Sequence, residues 1–454
     1  MKPARILSGL VFAAAAGAAA HFGGLSQEIS ATIAITSLTA FWWVSEALPI
    51  PATSLVPFAL FPLAGIMDQR EAAAALGSYV IVLLMGSFML SKALERSGAH
   101  ERLALYMINL VGGSGRRLVI GFMFAAAILS MWISNTATTL MLATMALAIL
   151  SRTDDPKLGP ALLLGIAYAA SFGGTATLIG TPPNLIFADN FLRTTGEEFS
   201  FLRWMSFGVP IVLVGVPIMA LWLTRSLGGV KTPALADPGP WRKDERRTLI
   251  VFAIAIALWI TRIEPYGGWA GALGMKGAGD STVAIFAVLL MFLTPNGKGG
   301  ALLDWKAAVD IPWGMLLLFA GGICLASGIR ASGLDVLIGD QLAGLTNAPL
   351  FLTMLGLCLS VTFLTEITSN TATANLLMPI LAAVAVGAGI KPELLMIPAV
   401  ISCSCAFMLP VATAPNAIIY GTERVSIAQM AREGAMLNII VAFIVASMCW
   451  VMLR

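Results

Sequence analysis

Charge is scarce in this chain. Of its 454 residues only 11% are charged, while 58% are hydrophobic. A soluble domain carries roughly a quarter charged residues. A soluble fold with a large core is therefore excluded, and a membrane protein remains. Histidine is nearly missing: there are only His21 and His100, and neither sits in a motif. That leaves no nucleophile–base pair and no His-based metal set, so an enzyme is not expected. The five cysteines, Cys324, Cys358, Cys403, Cys405 and Cys449, all lie in apolar runs and read as small buried hydrophobes. Cys403 and Cys405 have no His or carboxylate cluster beside them, which argues against metal ligation. The net charge of +3 is too small to suggest a nucleic-acid partner.

What is present in quantity is apolar sequence of membrane-spanning length. Such runs fall near 6–22, 30–50, 53–67, 78–94, 160–179, 204–224, 247–262, 282–294, 313–328, 394–411 and 434–453. The first of them follows Lys2 and Arg5 and has the look of a signal peptide, but a retained first helix is expected. Two further stretches, 117–150 and 349–389, are interrupted by a polar Ser-Asn-Thr string. Each is too long for one crossing and too tightly joined for two. A re-entrant hairpin fits, with its polar tip near mid-membrane and buried in protein or facing a wet cavity. The predicted fold is all-α and polytopic, with about eleven transmembrane helices and two such hairpins.

The two halves of the chain repeat each other. Gly86, Ser97-Gly98 and Ser134-Asn135-Thr136 match Gly321, Ser332-Gly333 and Ser369-Asn370-Thr371 at one offset of about 235 residues. Gly180-Thr181-Pro182-Pro183-Asn184 then matches Ala412-Thr413-Ala414-Pro415-Asn416. The expected organisation is helix 1 in 1–29 and repeat 1 in 30–227, whose hairpin 117–150 enters from the cytoplasm. A cytoplasmic linker at 228–246 follows, then repeat 2 in 247–454, whose hairpin 349–389 enters from outside. An odd number of spans per repeat inverts one copy relative to the other. A cytoplasmic N-terminus places most of the 27 Lys and Arg on the inner side, so a plasma (inner) membrane protein of that orientation is predicted.

Ser, Asn and Thr are strong helix N-caps, and each string opens an apolar helix. Two helix N-termini, with free N–H groups and partial positive charge, are thereby aimed at the protein's centre. Two such tips make an anion site that needs no Arg or Lys, and none lies close in sequence to either string. The same hydroxyls and amide oxygens, with carbonyls freed at the Pro-containing breaks, suit sodium. Gly173-Gly174 permits a close helix approach just upstream of the first break. Glu46 and Glu366 are the notable acids in apolar surroundings. For Glu366 a hydrogen-bonded structural role, or a group reaching water at the hairpin mouth, is favoured, with proton coupling as the alternative.

These strings, together with Ser45-Glu46-Ala47-Leu48-Pro49-Ile50-Pro51-Ala52-Thr53, resemble the divalent-anion:sodium symporter (DASS) family from about residue 30 to the C-terminus. Within it the closest likeness is to bacterial sodium-coupled C4-dicarboxylate transporters. The resemblance implies a homodimer in the lipid bilayer, working by an elevator-like motion. It implies substrate contacts from Asn135, Thr136, Asn370 and Thr371, with Thr181 and Thr413 completing the candidate set. It implies one sodium near Ser130, Ser134, Asn135 and the Gly180 carbonyl, and a second near Thr365, Ser369, Asn370 and the Ala412 carbonyl. Two departures stand out. Ala414 replaces an expected proline, and Met141-Leu142-Ala143 lacks one like Pro379. The implied activity is sodium-coupled uptake of a small dianion such as succinate, with a sodium-independent exchanger or a sulfate transporter as alternatives on the same scaffold.

Overall fold

The structure is a computed structural model describing residues 3–112, 115–153, 155–227, 239–263, 265–342 and 348–453. Most of the expected linker, residues 228–238, lies outside the described residues. Among the described residues the regular structure is helical, apart from one isolated bridge between Pro295 and Ala301. Among the described residues seven helices are long and apolar enough to cross a membrane, from Pro3–Phe22 at the N-terminus to Ile427–Met452 at the C-terminus. Shorter apolar helices, among them Asn135–Leu150, Asp280–Leu293, Leu350–Thr365 and Glu393–Cys403, accompany them. A continuous span over 53–67 is not found. The chain there breaks between the helices Ile50–Thr53 and Val56–Leu63, each with proline in its first turn.

The two halves run through the same order of elements. In the first, Tyr79–Ser97 leads through Gly98 to Ala99–Val111, and in the second Trp313–Ala331 leads through Gly333 to Leu334–Leu342. Gly98 and Gly333 have φ of 74° and 75°, a left-handed turn that glycine adopts without a Cβ penalty. Ser97 and Ser332 each bond back to a carbonyl three residues earlier, Leu94 and Ile329. Then come the hairpins. Gly115–Ser130 turns into Asn135–Leu150, and Leu350–Thr365 turns into Asn370–Gly387. Each is followed by a helix that stops inside an apolar run, Leu158–Gly173 and Glu393–Cys403. Beyond an unwound segment the chain resumes as Pro182–Thr195 and Ala414–Tyr420.

Burial ranks these helices. The central one, Leu158–Ala176, is almost wholly buried, whereas Pro3–Phe22 is largely exposed and packs chiefly on Gln27–Ser45. The central helix packs on both arms of the first hairpin and on Ala414–Tyr420 of the second half. Interlocking of this kind puts both hairpin tips and both breaks at the middle of the molecule. All five cysteines are buried and unpaired.

Candidate functional site

Both Ser-Asn-Thr tips open one cavity. Its volume is about 760 Å³, and its wall includes Ser134, Asn135 and Thr136 from the first tip and Ser369, Asn370 and Thr371 from the second. Gly180, Thr181, Ala412 and Thr413 from the two breaks line it as well. Sequence positions hundreds of residues apart are thus brought to one place, as the duplicated pattern requires.

The two tips are built alike. Ser130 donates to Asn135 Oδ1 at 2.5 Å, and Thr365 donates to Asn370 Oδ1 at 2.8 Å. Ser130 and Thr365 are completely buried, directly behind their tips. Each asparagine therefore turns its amide oxygen inward, and neither Nδ2 has an acceptor among the described residues. Those two N–H groups remain for a ligand. The helices behind them are 16 and 18 residues long, so each tip also presents unpaired N-terminal amides. Ser134 caps its own helix by accepting from Ala137 N at 3.1 Å, whereas the Ser369 side chain makes no cap bond.

The breaks supply carbonyls. Pro182, Pro183 and Pro415 fall in the first turn of the resumed helices, where the missing N–H is tolerated. Some of the freed carbonyls of the first break have donors within the protein. Asn184 Nδ2 bonds Thr177 O at 2.7 Å and reaches Gly174 O and Thr175 O, and Trp204 Nε1 donates to Thr175 O at 2.8 Å. In the second break Asn416 Nδ2 bonds Ala406 O and Leu409 O, both at 3.0 Å. Several carbonyls of the breaks, those of Leu178 and Ile179 as well as those of Gly180 and Ala412, accept no hydrogen bond among the described residues. Gly180 and Ala412 line the cavity, where an orphan carbonyl can take a ligand as its partner. The Gly180 carbonyl adjoins Asn135 Oδ1: a Cβ added at Gly174 would lie 2.8 Å from both. Gly174 is glycine because the oxygens converge there. Thr365 Oγ1 also lies 3.0 Å from the Cys403 carbonyl, a neighbour not anticipated from the sequence.

Some readings need correction. A cationic side chain does reach the cavity: Lys92 lines it, held by Glu95 at 3.3 Å and by Asp310 at 3.2 Å. Lys92 is some forty residues before the first tip, so proximity in sequence could not reveal it. Glu46 is exposed at a left-handed helix end with φ of 48° and does not line the cavity. Glu366 is buried and accepts from the backbone N–H groups of Phe407 (2.7 Å), Met408 (2.8 Å) and Leu409 (3.0 Å), and from Asn438 Nδ2 (2.7 Å). Four donors on one carboxylate make it a fastener between the second tip and the second break. The fastening role of Asn184 and Asn416 was also missed, although a polar residue after a proline inside an apolar run was a readable signal.

Residues 40–395 match the citrate transporter family (CitMHS). The sodium-dependent dicarboxylate transporter SdcS of Staphylococcus saprophyticus is 40% identical over 441 residues, covering 92% of this chain and 84% of that one. The SdcS of Staphylococcus aureus strain NCTC 8325 is 39% identical over 438 residues, covering 91% and 84%. This chain belongs to the divalent-anion:sodium symporter (DASS) family. It is a multi-pass membrane transporter and not an enzyme. The fold extends further than the sequence likeness. The YdaH transporter of Alcanivorax borkumensis superposes with a TM-score of 0.63 at 16% identity, covering 92% of this chain and 98% of that one. MtrF of Neisseria gonorrhoeae gives 0.62 at 14% identity, covering 94% and 95%.

Proposed function

We propose that this transporter takes up a C4-dicarboxylate such as succinate together with sodium ions. The observation that carries the reading is the pair of matched oxygen sets. Ser130, Asn135 Oδ1 and the orphan Gly180 carbonyl stand in one repeat, and Thr365, Asn370 Oδ1 and the orphan Ala412 carbonyl in the other. Ser134 and Ser369 complete the proposed sodium sites. The free Asn135 and Asn370 amides, with Thr136, Thr371, Thr181 and Thr413, form the proposed substrate contacts.

Magnitudes favour strict coupling. A helix N-terminus contributes typically 0.3–1 kcal/mol, and up to about 2 kcal/mol, to a nearby anion. A sodium ion about 4 Å from a carboxylate contributes roughly 4 kcal/mol at an effective dielectric near 20. Helix ends orient the dianion, and bound sodium supplies most of the attraction. The neutral ligand sets thus support symport over sodium-independent exchange. Inverted repeats supply two equivalent end states, and the reading includes an elevator-type motion between them within a homodimer of the plasma membrane, N-terminus cytoplasmic.

The test is uptake of labelled succinate into vesicles under an imposed sodium gradient. Uptake is expected with sodium and should drop at least about tenfold when choline replaces it, the effect of losing about 1.4 kcal/mol of binding. Equal uptake in the two media would remove the coupling claim.

A further inference from the structure

A second cavity, of about 300 Å³, is not accounted for by the transport site. Its wall includes Arg193, Arg330, Asp335 and Pro379. One helix, Trp313–Ala331, borders both cavities: Met315 lines the first and Arg330 the second. At 1.5 Å rise per residue those positions are about 22 Å apart along the axis. The two cavities therefore sit toward opposite faces of the membrane. The first is open to solvent where Asp310, with a side chain 82% exposed, joins its rim.

The walls differ in charge. The first carries Lys92 with two carboxylates, Glu95 and Asp310, bonded to it. The second carries two arginines and Asp335. Arg193 is engaged by Asp189 at 2.7 Å and by Ser327 at 3.1 Å. Arg330 has no carboxylate within ion-pair distance and no hydrogen-bond acceptor among the described residues. Asp335 shares the cavity wall without bridging to it. A half-buried guanidinium left unpaired is unfavourable, and its forked N–H groups match a carboxylate.

Under the internal repeat, Arg330 matches Glu95 at the offset of about 235 residues. When the two repeats exchange conformations, Arg330 takes the place at the open cavity's wall that Glu95 holds now. We propose that Arg330 is a capture residue for the dicarboxylate on the face opposite the present opening, with Arg193 beside it. The substrate would then meet an arginine on one face and a lysine enclosed by carboxylates on the other. This rests on the dicarboxylate reading above. A positive cavity mouth raises local anion concentration without entering the translocation step.

The experiment measures initial rates of labelled succinate uptake, under a sodium gradient, in membrane vesicles of the two opposite orientations. Arg330→Gln is expected to raise KM about five- to tenfold on one face only, with kcat within about twofold and a flatter dependence of KM on ionic strength. Arg330→Lys should regain most of the lost affinity, because the charge is kept. A KM unchanged on both faces overturns the proposal. So does a KM raised equally on both, or a lower melting temperature with reduced kcat, since Arg330 in the last turn of its helix would then serve the helix end alone. Wild-type protein in the same vesicles separates the two claims. If it shows no sodium-driven succinate uptake, the dicarboxylate reading falls and the capture role with it. If it transports and Arg330→Gln behaves like wild type, only the capture role falls.

Discussion

The two repeats share a hydroxyl–amide pair at their tips and fasten it by different means. In the first, Thr177 Oγ1 donates to the Met131 carbonyl at 2.6 Å and accepts from Gly180 N at 3.1 Å, tying tip to break through one neutral hydroxyl. At the place equivalent to Met131 the second repeat has Glu366, whose carboxylate takes three backbone N–H groups of its break. The hydroxyl–amide pair is common to both tips, while the fastener behind it is a hydroxyl in one repeat and a carboxylate in the other. Under the proposed function the difference separates what binds from what merely holds, because only the shared part would need to touch cargo.

That comparison can be broken most severely at the shared part. Asn135→Ala and Asn370→Ala should each lower uptake by at least about 100-fold, since each removes an amide donor and an oxygen acceptor to charged partners worth about 1.5–3 kcal/mol apiece. Near-normal uptake in either variant would show that the two tips are not equivalent. The fasteners should differ in size of effect. Glu366→Ala leaves three backbone donors without their acceptor, and each buried unpaired donor is unfavourable by about 1–3 kcal/mol. Thr177→Val removes one donor–acceptor pair and should destabilise by about 1 kcal/mol. Thermal unfolding in detergent, with and without sodium, would measure both. Equal shifts would show that the carboxylate adds nothing over the hydroxyl.

Legibility followed the same division. The tips could be read because Ser-Asn-Thr is conspicuous in apolar sequence and occurs twice in register. The breaks could be read from proline. Gly98 and Gly333 stood out as a matched pair, and their left-handed φ explains why both must be glycine. What could not be read depends on folding across long separations. Lys92 meets Asp310 across more than two hundred residues, and Glu366 meets Asn438 across 72. An apolar run shows where a helix lies but not which face it turns to a cavity. The charged wall therefore went unseen, and Glu46, notable for its apolar neighbours in sequence, is exposed.

The smallest expected effect sharpens the comparison best. Position 130 is serine and position 365 threonine, so the repeats share a hydroxyl but differ by one methyl group. If the hydroxyl is what matters, Thr365→Ser should leave the sodium concentration for half-maximal uptake within about twofold. The lost methyl should appear only in stability, at about 1 kcal/mol for a completely buried site. Thr365→Val keeps the shape and removes the oxygen, and it should raise the sodium requirement at least about tenfold, as expected for losing one ligand worth about 1.4 kcal/mol. A site that tolerated valine and not serine would be held by packing. The parallel between Ser130–Asn135 and Thr365–Asn370 would then be a matter of helix geometry, without bearing on sodium.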